Sequence, residues 1–184
     1  MRVLAISGSL RAASINSAFC RAAAALAPSD IQVQVLAVLG DIPAFNQDLE
    51  AAPPRVVQAL RAAVGGCDAM IIASPEYAHG VSGVLKNALD WLVSYEGTVR
   101  KPIALVNTSP RAHHAHDALR ETLATMSTDI VASASVTLPL LGGCTSQEQM
   151  VKSPDVSRSI REILEALARH VGGQPVTSVV FPIS

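Results

Sequence analysis

The sequence predicts an α/β fold, a doubly wound parallel sheet with helices on both faces. Three observations predict it. The apolar runs VLAI (3–6), AMIIAS (69–74) and PIALVN (102–107) lack period-2 alternation, as expected of strands buried on both faces. Amphipathic helical patterns separate these runs. The strand and helix signals alternate through about 170 residues, which gives a three-layer α/β domain with right-handed crossovers.

The elements follow in order. The first strand is 3–6. A first helix opens near Ile15, with Phe19, Ala22 and Leu26 on its apolar stripe. The second strand is expected over IQVQVLAV (31–38). The second helix carries Val56, Val57, Leu60 and Val64, opened by Pro53-Pro54 and closed by Gly65-Gly66. The third strand is 69–74, and a third helix is expected from Val84 to Tyr95. The fourth strand is 102–107, followed by a helix over about Ala115 to Met126. VASASVTLP (131–139) is the expected fifth strand, and Ile160, Ile163, Leu164, Leu167 and Val171 mark a last helix ending at Gly172-Gly173. VTSVVF, near the C-terminus, suits an edge strand or an arm onto a partner. No repeat or linker divides the chain, so residues 1–184 are expected to form one domain.

Composition narrows the class. Hydrophobic residues make up 49% and charged residues 16%, which excludes a disordered chain. A formal net charge of -1 offers neither the basic face that nucleic acid requires nor a polybasic membrane footprint. Cys20, Cys67 and Cys144 form no C-x-x-C pair and no zinc set. With no secretory h-region and no run long enough to span a bilayer, a soluble, cytoplasmic protein is expected.

In such a sheet, ligands bind beyond the carboxyl ends of the strands, at the topological switch point. The loops there are GSLRAASIN (8–16), SPEYAHGVSG (74–83) and TSPRAHHA (108–115). The first combines the hydroxyls of Ser7, Ser9 and Ser14 with a helix N-terminus, an anion site that needs no lysine. It lacks both GxxxxGK[ST] and GxGxxG, so a single phosphate monoester fits better than a triphosphate or a dinucleotide. The plainer reading is that Ser14 or Asn16 caps a helix and the other serines fill a turn.

In the second loop Pro75 stiffens the turn, and Gly80 and Gly83 allow close backbone approach. Tyr77 offers an aromatic surface. Glu76 is either a catalytic carboxylate or an acceptor of backbone N–H bonds that orders the loop. His79 is either a proton donor or a rim residue. The helix after this loop has a wide apolar arc: Val84, Leu85, Ala88, Leu89, Trp91, Leu92 and Tyr95 span about 160°. Either it is a deeply set core helix or part of it packs on a second subunit. No Ser-His-Asp or Cys-His set stands out, and His113, His114 and His116 have no metal-ligand spacing, so no metal is expected.

GSLRAASIN together with SPEYAHGVSGVLKNALDW (74–91) closely resembles the NADPH-dependent FMN reductase family, which includes quinone, chromate and azo reductases of flavodoxin-like fold. IPAFNQDLE (42–50) resembles the family's Pro-x-(Tyr/Phe)-Asn-x-Asp segment. The resemblance covers nearly the whole chain. It implies a flavodoxin-like three-layer sandwich with a five-stranded parallel sheet in the order 2-1-3-4-5. It also implies an NAD(P)H-dependent oxidoreductase passing electrons through FMN to quinones, chromate, azo compounds or free flavin. NADPH or NADH is the donor and the flavin carries the chemistry, so no side chain is assigned as catalytic.

By that resemblance Ser9, Arg11, Ser14, Ile15 and Asn16 hold the FMN phosphate. Pro75, Glu76, Tyr77, Ala78, Gly80 and Ser109 line the ring. Separately, His79, Arg111, His113 and His114 are expected to shape the substrate pocket, the two adjacent histidines because their rings fill the space that a Gly-rich run leaves open. A homodimer or homotetramer is implied. The chain departs from the family in three places: Ala78 replaces the usual Asn, Ser82 the usual Pro, and His113-His114 a Gly-rich run. Two rival readings use the same scaffold. A flavodoxin-type electron carrier would be strongly acidic, and a flavin-free regulatory or binding protein would purify without colour.

Overall fold

A computed structural model describes residues 1–140 and 143–173. Strands β1 (Arg2–Ser7), β2 (Gln32–Val35) and β3 (Ala69–Ala73) are followed by a two-residue pair, β4 (Glu76–Tyr77) and β5 (Gly80–Val81), and then by β6 (Pro102–Val106) and β7 (Asp129–Ile130). The helices are α1 (Ile15–Leu26), α2 (Arg55–Gly66), α3 (Gly83–Asp90), α4 (His113–Thr125), α5 (Gln147–Lys152) and α6 (Pro154–Gly173). The main sheet is parallel and runs β2-β1-β3-β6-β7. With the antiparallel hairpin β4–β5 set aside, this is the expected 2-1-3-4-5 order, and the fold is flavodoxin-like.

Both faces of the sheet are covered, as the unbroken apolar runs require. Val3, Ala5, Ile71, Ala73, Ala104 and Val106 face Phe19 of α1 and Ile160 and Leu164 of α6. Their neighbours Leu4, Ile6, Met70, Ile72, Ile103 and Leu105 face Val57 and Leu60 of α2, Leu85 of α3 and Leu119 of α4. Successive strand residues point to opposite faces, so one apolar run feeds two cores.

Three elements differ from expectation. The second strand stops at Val35, and Val38–Asp41 forms a 3-10 turn that carries Leu39 into the core. The fifth strand is two residues long, because a 3-10 turn at Ala132–Ala134 interrupts the segment expected over 131–139. Its place in the ladder is partly taken by a side chain: the Leu105 N–H donates to the Ser135 Oγ at 3.0 Å. Pairing then resumes, with Asn107 N donating to Val136 O at 2.9 Å and Leu138 N to Asn107 O at 2.8 Å.

The third difference is α3, which ends at Asp90 and does not reach Tyr95. The guanidinium of Arg61 takes the Trp91 carbonyl through Nε at 3.2 Å and Nη2 at 3.0 Å. The following N–H groups bond three residues back, as Leu92 N to Leu89 O at 2.9 Å and Tyr95 N to Leu92 O at 3.0 Å. The wide apolar arc is filled within the chain. Trp91 is 0% exposed. Its Nε1 donates to Pro43 O at 2.9 Å, and Phe45 meets its ring edge-on at 5.1 Å. Trp91 is thus covered within the chain by the IPAFN segment, and Leu85, Ala88, Leu89 and Leu92 lie in the same core cluster. The C-terminal VTSVVF segment lies outside the described residues.

Candidate functional site

A cleft of about 470 Å³ opens at the carboxyl ends of β1, β3 and β6, where the sheet order reverses. Its walls come from the three loops singled out in the sequence. The first supplies Ser9, Arg11, Ser14, Ile15 and Asn16. The second supplies Pro75, Glu76 and Tyr77, and the third Ser109 and Arg111.

The first loop is built around the start of α1. Ser14 caps the helix, its Oγ accepting from Ser17 N at 3.2 Å. The capping reading and the anion reading coexist, because a hydroxyl that accepts this bond keeps its own proton to donate. The Ser9 Oγ accepts from Arg11 N at 3.4 Å and turns the loop. Ser7 is spent on structure: its Oγ lies 2.8 Å from Ser17 Oγ and accepts from Ser9 N, and it does not line the cleft. Ser9, Ser14 and Asn16 are all buried, at 9%, 5% and 6% exposure. The first turn of α1 holds no acidic residue. The cleft therefore presents buried neutral donors at a positive helix end, beside one arginine.

The third loop is locked to the first. Thr108 Oγ1 donates to Asn16 Oδ1 at 2.8 Å, a buried bond that leaves the Asn16 Nδ2 with no partner among the described residues. Asn107 shapes the turn, its Oδ1 accepting from Ser109 N at 3.0 Å and its Nδ2 donating to Ala112 O at 3.3 Å.

The second loop is locked to α4. Ala112 gives that helix no side-chain cap, and Glu76 replaces it by accepting from Ala115 N through Oε2 at 2.9 Å. The other oxygen lies 3.2 Å from His79 Nδ1. The Ala115 N–H is the main cause that holds the Glu76 carboxyl below its ordinary value; desolvation opposes it, and His114, His79 and His113 add to it. Glu76 is thus an ionised loop-ordering group. The rings of His79, His114 and His113 form a row, with centroids 4.5 Å and 4.1 Å apart.

Ala78, Gly80, His79, His113 and His114 lie outside the cleft lining. Ala78 and His79 form the turn of the β4–β5 hairpin, at φ 49° and 59°. His116 is separate, with its pKa lowered by burial and then by Arg120, against Asp117. Among the described residues, no group of three or more His, Cys, Asp or Glu is arranged to hold a metal ion. Among them, no helix is long and apolar enough to cross a membrane.

Sequence reasoning missed Ser74, Thr108, Ala13, Ala112 and Thr145, which also line the cleft. Ser74 and Thr108 stand just past β3 and β6, so strand-end position alone could have found them. Thr145 comes from a segment with no local signal.

The comparisons agree with this geometry. Residues 1–141 match the model of the NADPH-dependent FMN reductase family. The chain belongs to that family. An NAD(P)H-dependent FMN reductase of Pseudomonas aeruginosa is 42% identical over 92 residues, 50% of this chain and 49% of its own length. A quinone reductase of Pseudomonas putida is 38% identical over 128 residues, 66% of this chain and 68% of its own length. Over the first few curated relatives, the chain spans about half to three-fifths of their length. Among solved structures, the NAD(P)H:(acceptor) oxidoreductase FerB of Paracoccus denitrificans has a TM-score of 0.73 at 25% identity, covering 93% of this chain and 97% of that one.

Proposed function

We propose that this family member is an NAD(P)H-dependent FMN-containing oxidoreductase that reduces quinones, with chromate, azo compounds and free flavin as further acceptor classes. The observation that carries the reading is the donor set at the start of α1. Ser9, Ser14 and Asn16 are buried, uncharged donors; Arg11 adds one positive charge, and the first turn of α1 adds no carboxylate. That composition fits the dianion of one phosphate monoester, as FMN carries. Gly8 contributes by its size: a Cβ there would collide with the Ser74 side chain.

When bound, FMN supplies the redox chemistry, taking two electrons from NAD(P)H and giving two to the acceptor. The protein binds and orients. Ser9, Arg11, Ser14, Ile15 and Asn16 hold the phosphate end. Pro75, Glu76, Tyr77 and Ser109 wall the remainder of the cleft, with Ala78 and Gly80 holding the hairpin behind them. The Glu76 bond to Ala115 fixes that wall to α4. His79, Arg111, His113 and His114 flank the approach taken by donor and acceptor. The names of the relatives support NAD(P)H as donor and quinones as the first acceptors to test.

We further read the protein as one domain, cytoplasmic, and a homodimer or homotetramer. One experiment tests the core of the reading. The visible spectrum of gently purified protein is recorded, and NADPH is then added without oxygen. A flavin spectrum that bleaches, and recovers on adding a quinone, is expected. Protein that stays colourless even after incubation with FMN overturns the reading.

A further inference from the structure

Among the described residues that line the cleft, Glu76 is the one carboxylate. Its charge is fixed in place. The side chain is 14% exposed, Oε2 accepts from Ala115 N at 2.9 Å, and Oε1 lies 3.2 Å from His79 Nδ1. Arg11 and Arg111 line the same cleft, but among the described residues neither pairs with Glu76. His113 and His114, which extend the row from His79, stand outside the lining.

The bond to α4 needs only an acceptor oxygen. A neutral amide oxygen would serve, as the Asn107 Oδ1 serves Ser109 N in the third loop. The chain instead places a full charge, mostly out of solvent, in the wall of a cleft that receives electrons. The Ala115 N–H is the main cause that keeps this carboxyl below its ordinary value, so it stays ionised through the neutral range.

Hydride transfer brings two electrons and one proton, so the cofactor gains one negative charge until a second proton follows. A like charge held in the wall opposes that gain, because solvent screens a mostly buried carboxylate incompletely. We propose that the Glu76 carboxylate lowers the electron affinity of the bound flavin, which makes its reduced form the stronger reductant toward the acceptor. This rests on the oxidoreductase reading above. The electrostatic role is separable from the structural one, since the first needs the charge and the second needs the reach to Ala115.

The test reads the flavin itself and not turnover. FMN-loaded protein is equilibrated without oxygen at pH 8, where an ordinary imidazole is neutral, with a redox dye of matching potential. The ratio of reduced to oxidised flavin is taken from the visible spectrum. Glu76→Gln keeps an oxygen for the Ala115 N–H and removes the charge, and at a fixed dye ratio it should raise the flavin ratio about three-fold or more. Glu76→Asp keeps the charge and shortens the reach, and its ratio should stay near wild type. His79→Lys puts a permanent cation beside Oε1 without altering the bond to Ala115, and it should raise the ratio as Glu76→Gln does. An unchanged ratio in Glu76→Gln overturns the proposal, as do equal rises in Glu76→Gln and Glu76→Asp. If Glu76→Gln does not hold FMN, an unchanged ratio in His79→Lys overturns it instead. Failure of the oxidoreductase reading shows separately, as wild-type protein that stays colourless after incubation with FMN, and that result overturns both.

Discussion

The Glu76 carboxylate caps a helix to which it does not belong: its Oε2 accepts a 2.9 Å bond from the Ala115 N–H, 39 residues along the chain. Together with the edge-on contact of His79 and His114, this bond holds the β4–β5 hairpin, a wall of the cleft, against the start of α4, which has no side-chain cap of its own.

The first prediction concerns pH. The folded pKa of Glu76 lies below its ordinary value of 4.5, chiefly because the Ala115 N–H favours the ionised form. A lowered folded pKa adds stability that is fully present above the unfolded value and is lost as pH falls through the folded one. Thermal melts of wild type and Glu76→Gln should therefore differ near pH 6, wild type being the more stable. The difference should shrink below about pH 4.5. A difference that is constant from pH 6 to strong acid would count against the cap.

The second prediction concerns the hairpin turn. Ala78 and His79 occupy left-handed conformations, at φ 49° and 59°, where a type I′ turn favours Asn-Gly. Ala78→Asn should relieve strain and raise stability by about 0.5–1 kcal/mol. That corresponds to a rise in Tm of roughly 1–4 °C for a chain of this size. An unchanged or lower Tm would mean that the turn is not held in this form.

The third prediction concerns Trp91. It is fully buried, and its indole N–H is paired with Pro43 O. Trp91→Ala should cost about 3–5 kcal/mol, and Trp91→Glu should unfold the chain because it buries a charge with no partner. Circular dichroism melts with size-exclusion chromatography decide this. A well-folded Trp91→Glu monomer would instead place Trp91 at a subunit interface.

The fourth prediction concerns phosphate dependence. Charge-assisted hydrogen bonds contribute about 1.5–3 kcal/mol each. A ligand that lacks two of them binds roughly a hundredfold more weakly or worse. Riboflavin should bind far less tightly than FMN in a fluorescence titration, and Ser14→Ala should narrow the gap. Equal affinities would remove the phosphate from the first loop.

The fifth prediction separates the histidines from cofactor binding. The His114 ring packs tilted on His113 and meets His79 edge-on, outside the cleft lining. Replacing both by Gly should leave the Kd for FMN within a few-fold. It should change kcat/KM for NADPH, for quinones or for both. Loss of FMN would show that these rings support the cofactor site.

Much was legible in the sequence because it depends on local pattern. VLAI, AMIIA and PIALV are apolar at every position, and no strand with a solvated face has that pattern. Their carboxyl ends marked the three loops that line the cleft, and Ser14 was one of two candidates for the helix cap, the other being Asn16. Membership of the family rested on two contiguous motifs and needed no tertiary information.

The tertiary structure alone decided what depends on partners far along the chain. Periodicity showed that α3 and the residues after it are apolar over a wide arc, but not what covers them. The cover is Pro43 and Phe45, nearly fifty residues earlier, brought there by folding. The tie between Thr108 and Asn16 spans 92 positions, and the Ser135 hydroxyl bonds Leu105 N across 30. Ser82, a substitution in a turn when read in sequence, became an unpaired buried hydroxyl only once Gly8 and α3 were placed around it. Backbone propensity and side-chain period act over a few residues, whereas burial and hydrogen-bond satisfaction are set by whichever segments the sheet order brings together.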